Sequence, residues 1–403
     1  MSAHRTADIS KDLLVVGDRA RGWAVGGGIT GAVALAGALF SAWSSDSGWP
    51  RFLHAWLVSW IFFVSLALGA LFFVIVQHLT RSGWSVVVRR IAEVAASTLL
   101  PLAVLSLPLL LGLRELYPWA GHAAAGHATA AIEAKRAYLN VPFFLARAAA
   151  YFAVWIFLAW RFHSRSRAQD LSGDPGITVG LERLAGPAAV LFALTTTFFA
   201  FDWLMSLNPL WSSTIFGVYF FAGCVVGFFA LLPVLIASLQ SRGFLRHAVT
   251  MEHYHDMGKL VFAFVVFWAY IAFSQYLLMW YANLPEETVW YRVRQQGGWV
   301  FVSLLLLAGH FLLPFVALLS RYPKRRPGVL IAAAVWTLFM HWVDLYWLVK
   351  PGRVSGLPRA VDALCFLAVG GFVFATAALR LRTVPLVPVK DPRLDESLRF
   401  ENV

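Results

Sequence analysis

The chain has 403 residues, of which 60% are hydrophobic and 13% charged, with a formal net charge of +12. A soluble globular chain is nearer half apolar and one quarter charged, so this composition excludes a water-soluble domain and indicates a polytopic membrane protein. The cationic excess is scattered over short loops rather than gathered into one patch, which argues against nucleic-acid binding and fits loops on one side of a bilayer.

Arg5, Lys11, Arg19 and Arg21 precede a first apolar segment at roughly 22–43. It is longer than a signal-peptide core and has no small-x-small cleavage site before Asp46, so it is expected to remain as a helix. Within it Gly22, Gly26-Gly27-Gly28 and Gly31 keep four-residue spacings, a helix-packing pattern rather than a nucleotide loop, and Gly223 and Gly227 read the same way. Further spanning segments are expected at 52–78, 86–112, 140–161, 184–205, 212–240, 257–282, 298–320, 328–349 and 357–382, ten in all. The third carries Pro101 and Pro108 and should kink. The stretch 113–139 is expected to be an extramembrane loop with a short helix over Ala123–Lys135. Residues 1–403 thus form a single polytopic, all-α membrane domain ending in a tail at 383–403.

Orientation follows from the loops. About 23 Lys and Arg lie on the side of the N-terminus and about nine on the other, which places both chain ends in the cytoplasm. Trp49, Trp119, Trp211, Trp290, Trp299 and Trp347 fall at the outer helix ends, as an aromatic belt would.

The end of the fifth segment, Asp202 to Pro209, echoes the end of the ninth, Asp344 to Pro351, with an acid seven residues before a proline in each. Four helices separate the two, so the copies share an orientation. Two four-helix bundles are therefore expected, helices 2–5 (52–205) and 6–9 (212–349), with helices 1 and 10 peripheral.

Ionisable groups inside a span cost about 2.5–3.5 kcal/mol at the bilayer centre and so suggest function. An outer layer holds His54, Arg147, Asp202, Gln275, His341, Asp344 and Asp362, and an inner layer His78, Glu93, Asp256 and Lys259, with His253 and His255 at the water boundary. His310 lies near the midplane. His341 and Asp344, three apart, share a helix face. Arg147 is the natural partner for Asp202. The functional reading is a proton path: uptake near Asp256 or Glu93, a midpoint at His310, release past His341 or Asp202. The competing reading makes these groups paired or snorkelling side chains that specify packing, and for Lys259 and His78 it is the stronger. A haem held by His54 and His341 has little support. Cys224 and Cys365 are the only cysteines, and no CxxCH, CxxC or four-cysteine set is present, so no cofactor or metal is expected in this chain.

The stretch from Asp256 to Thr288, DMGKLVFAFVVFWAYIAFSQYLLMWYANLPEET, resembles the F subunit of bacterial alternative complex III, a quinol-oxidising respiratory complex. Phe201–Gly223, FDWLMSLNPLWSSTIFGVYFFAG, fits the same family, and the likeness extends over most of 50–350. The resemblance implies an NrfD-like ten-helix subunit without a redox cofactor, a candidate for proton transfer, in the bacterial inner membrane. It implies partners that carry haem c and iron–sulfur clusters: a multihaem cytochrome c, an iron–sulfur subunit and a small haem subunit. A sister NrfD-like C subunit, and as an optional addition a haem–copper oxidase, complete that set. It carries Asp202, His341 and Asp344 over as proton-pathway candidates, with Glu93, Asp256 and His310 behind them. A quinol-binding subunit and an independent proton-coupled transporter are the alternatives.

Overall fold

A computed structural model describes residues 9–45, 48–121, 128–352 and 358–402. Ten helices are long and apolar enough to cross a membrane: α1 (Arg19–Trp43), α2 (Gly48–Leu79), α3 (Val86–Leu111), α4 (Val141–Ser172), α5 (Gly176–Leu207), α6 (Phe216–Ser241), α7 (Met251–Ala282), α8 (Trp299–Leu318), α9 (Pro327–Val349) and α10 (Ala360–Leu381). The protein is an all-α, multi-pass membrane protein, with no strand among the described residues and one isolated bridge, Leu13 to Phe244. Several helices outrun the hydropathy segments. α4 continues to Ser172 and α5 starts at Gly176, because polar turns stay helical beyond the apolar slab.

The helices close into two rings. In one, α2 packs on α3 and α5, and α4 on α3 and α5. In the other, α6 packs on α7 and α9, and α8 on α7 and α9. The rings meet along α2–α6, α5–α6 and α2–α9, which makes α2 the most enclosed span, apolar all round. The α2 and α6 backbones touch at Gly69, where a Cβ would lie 2.1 Å from the Cys224 carbonyl oxygen. α10 lies on α2 and α1 on α10, outside both rings. The close α1–α10 approach uses Gly27, Gly31 and Gly371, a Cβ on the last falling 2.6 Å from the Gly31 nitrogen. Gly22, Gly26 and Gly28 meet nothing, so only part of the glycine pattern packs.

α3 breaks into three pieces, Val86–Ala96, Leu99–Leu105 and Leu107–Leu111. Its interruptions leave carbonyls without helical donors, and two tryptophans of α2 supply them: Trp60 Nε1 donates to Leu102 O at 2.8 Å and Trp56 Nε1 to Leu105 O at 2.9 Å. The loop helix spans Ala128–Ala134; the start of the expected Ala123–Lys135 helix lies outside the described residues, as do Arg5, Asp46 and Arg353.

Both described chain ends lie on one face. Leu386 N donates to Leu14 O at 2.7 Å, and the Asp12 carboxylate accepts from His247. The tail is strapped down rather than free. Asp391 pairs with Arg89, Arg393 with Glu182 at 2.7 Å, and Asn402 Nδ2 donates to Glu252 O at 3.0 Å. On the opposite face lies a short helix, Pro285–Arg294, with Glu286 and Glu287 in its first turn. Trp119, Trp211, Trp290 and Trp347 are buried, so of the expected belt these four belong to the core. Their depth was legible, but not the direction they face.

Candidate functional site

Between the helices of the second ring, away from the face that bears the chain ends, lies a buried acid. Asp344, on the last turns of α9, is 1% exposed and accepts from two donors on other helices: the Tyr219 hydroxyl of α6, in a very short contact, and Trp268 Nε1 of α7 at 3.3 Å. No cation pairs with it among the described residues. A carboxylate held only by neutral donors in a buried site has no fixed counter-charge and is a natural proton acceptor.

One turn nearer the midplane on the same face is His341, fully buried, whose Nε2 lies 2.8 Å from Ser65 Oγ of α2 in the first ring. The ring has space because α6 offers glycines opposite it: a Cβ on Gly227 would fall 2.9 Å from His341 Cδ2, and one on Gly223 3.1 Å from its Cε1. These glycines therefore seat a side chain rather than a helix backbone. His310 of α8 stacks on Trp268 at 3.9 Å between ring centroids and lies 6.5 Å from the His341 ring. Neither nitrogen of His310, nor Nδ1 of His341, has a hydrogen-bond partner among the described protein residues. Unsatisfied buried nitrogens are rare and call for a reason. His310 sits in a π-helical stretch, Leu306–Leu312. Pro314 removes the donor that the His310 carbonyl would use, and Trp336 Nε1 takes up the Gly309 carbonyl at 2.7 Å. Asp344, Trp268, His310, His341 and Ser65 thus lie in one file inside an apolar ring, hydrogen-bonded at its two ends and joined by ring contacts between them.

A cavity of about 740 Å³ opens between α7 and α8 beside this string. Its walls include Tyr219, Trp268, Tyr276, Tyr291, Phe311 and Trp347, and Gln295 and Ser303 add polar points. Arg294, fully buried at its edge, stacks 3.4 Å over Trp290 and donates to the Trp347 and Leu348 carbonyls. Burial pulls its guanidinium down to about 9.

The other expected residues lie elsewhere. Asp202 belongs to the first ring and takes a bidentate pair from Arg147, Nε at 2.8 Å and Nη2 at 2.9 Å, plus the Tyr151 hydroxyl at 2.7 Å. Arg147 in turn lies over Tyr138 at 3.8 Å and Phe143 at 4.2 Å. Glu93 is surrounded by Arg90 at 3.2 Å, His163 at 3.4 Å and Arg89 at 3.6 Å, on the face that bears the chain ends. His78 stacks on Phe162. Asp256 pairs with Lys259 on its own helix at that same face, His253 Nδ1 caps α7 through Thr250, and His255 lies near both. His54 Nδ1 bonds the Pro50 carbonyl at 2.8 Å, three turns of α2 from the Ser65 contact of His341, so the two histidines do not face each other. Asp362 caps α10 and pairs with the buried Lys350 at 2.9 Å, whose ammonium burial pulls below its ordinary value. Gln275 donates to Tyr291. The structure therefore brings His310, His341 and Asp344 together and sets Asp202, Glu93 and Asp256 apart from them. Sequence reasoning missed Tyr219, Trp268, Ser65 and His163. The first three are neutral residues in apolar runs, whose role only packing reveals.

No protein-family model matches the chain, and no curated protein matches it either.

Proposed function

We propose that the chain is a proton-conducting membrane subunit of a quinol:electron-acceptor oxidoreductase of the alternative complex III type. It would work in the bacterial inner membrane beside haem- and iron–sulfur-bearing subunits, with both chain ends in the cytoplasm. The respiratory setting rests on the resemblance carried by Asp256–Thr288 and Phe201–Gly223. Proton transfer rests on one observation: an unpaired buried acid, Asp344, continues through Trp268 to two histidines with unsatisfied nitrogens. In this reading His310 and His341 relay a proton to or from the Asp344 carboxylate, with Tyr219 as the adjoining hydroxyl. Each transfer leaves the donor one proton short until it is reprotonated from the preceding group, so a full relay moves one proton with no redox change at this chain. Glu93 is tied into ion pairs and serves the face that bears the chain ends.

The cavity beside Tyr219 and Trp268 favours a second reading, a quinol held in this chain with Asp344 as the acceptor of its proton. One experiment separates the two. In the intact complex in proteoliposomes, Asp344→Asn is expected to lower the protons moved per electron while quinol oxidation continues. An unchanged proton-to-electron ratio sinks the proton reading. Loss of quinol oxidation itself, with quinone retained by the wild-type chain, assigns the cavity to quinol instead.

A further inference from the structure

A second cavity, of about 540 Å³, opens at the face bearing the chain ends, between the broken part of α3, the last turns of α4 and the end of α10. Its polar wall carries Arg167 from α4, Arg380 from α10 and Thr383 just beyond it; its apolar wall carries Leu100, Pro101 and Leu379. The two guanidiniums are near enough to repel each other, and no carboxylate pairs with either among the described residues. Several arginines of this face are matched, Arg89 with Asp391, Arg90 with Asp170, Arg393 with Glu182 and Arg382 with Asp18, whereas these two share a cavity without a carboxylate. Two uncompensated cations near a bilayer surface gain most from an anion that they share. The apolar wall specifies what else the anion carries. Leu100 and Leu379 are about half exposed, and Val104, Leu107 and Leu111 continue an exposed apolar track along α3 away from the arginines. A free inorganic ion has no use for that track, whereas an acyl chain does.

We propose that this groove binds an anionic phospholipid, its phosphate between Arg167 and Arg380 and an acyl chain along the proline-broken α3. Leu100 and Pro101, which open the second piece of α3 just after its break, form the α3 side of the groove. His163, which contacts Glu93, lines the same cavity, so the lipid phosphate borders the charged cluster of the first ring.

The test uses the full chain in a neutral detergent, titrated with dioleoylphosphatidylglycerol, with dioleoylphosphatidylcholine and with inorganic phosphate, and read by native mass spectrometry. The wild type is expected to retain the phosphatidylglycerol and not the phosphatidylcholine, and inorganic phosphate is expected not to displace it. Arg167→Gln and Arg380→Gln should each weaken retention about fivefold and the pair about 30-fold. Arg165→Gln, at an exposed position outside the cavity, should leave it unchanged. Equal retention of the two lipids, displacement by phosphate, or full retention by both single variants would each overturn the proposal. Should the double variant not fold, the two single variants decide.

Discussion

His341 fits its ring because two side chains are missing opposite it. Gly223 and Gly227 of α6 stand where any larger residue would press on the imidazole, and at Gly227 Leu66 of α2 closes the other side at 3.0 Å. Gly227→Ala is therefore expected to be an overpacking change. It should cost about 1–3 kcal/mol and shift His341 off Ser65. The thermal midpoint of the purified chain measures the cost, and an unchanged midpoint would show that the imidazole has room to move. The sequence does place His341 and Asp344 on one face, since three-residue spacing on a helix dictates it. It also points to Arg147 for Asp202 by depth alone. What surrounds Asp344 is another matter. Tyr219 and Trp268 add nothing to a hydropathy profile that distinguishes them from lipid-facing aromatics, and the function of the glycines at 223 and 227 depends on a histidine more than a hundred residues away.

At the scale of the element, helices in lipid must satisfy every backbone group internally; α5 and α6 stay continuous across Pro187 and Pro233, whereas α3 breaks and α8 turns π-helical. Pro101, Pro108 and Pro314 make the departures legible as positions of weakness. Their consequences are not legible, because the repair comes from other helices: Trp56 and Trp60 of α2 for α3, Trp336 of α9 for α8. Trp60→Phe keeps the aromatic packing against Phe152, Phe199 and Trp203 but leaves the Leu102 carbonyl buried without a donor. A loss of about 1–3 kcal/mol is expected. The readout is unfolding of the chain in detergent, and a loss well under 1 kcal/mol would mean that α3 re-forms its own hydrogen bond. The helices differ in length from the hydropathy segments for a related reason. Hydropathy marks the apolar slab, whereas α4 and α5 run on past it and meet the C-terminal tail through Asp170 and Glu182.

Across the whole molecule the two rings treat their matched acids in opposite ways. In the first, Arg147 and Tyr151 hold Asp202 with three hydrogen bonds, two of them charge-assisted, so the acid links α4 to α5. In the second, Asp344 sees only a hydroxyl and an indole, and the histidines beside it have open nitrogens. The two rings thus hold their matched acids differently, one in an ion pair and one with neutral donors alone. This difference predicts opposite outcomes for changes that look alike. Arg147→Met strands a buried charge and should destabilise the chain by about 3–5 kcal/mol, much of it recovered when Asp202→Leu is added. Asp344→Asn preserves a carbonyl oxygen for Tyr219 and Trp268 and should cost no more than about 1 kcal/mol. Unfolding of the three variants in one detergent measures this directly. If Asp344→Asn unfolds the chain as severely as Arg147→Met does, the second acid is structural like the first. If it does not, burial of Asp344 serves something other than the stability of the fold.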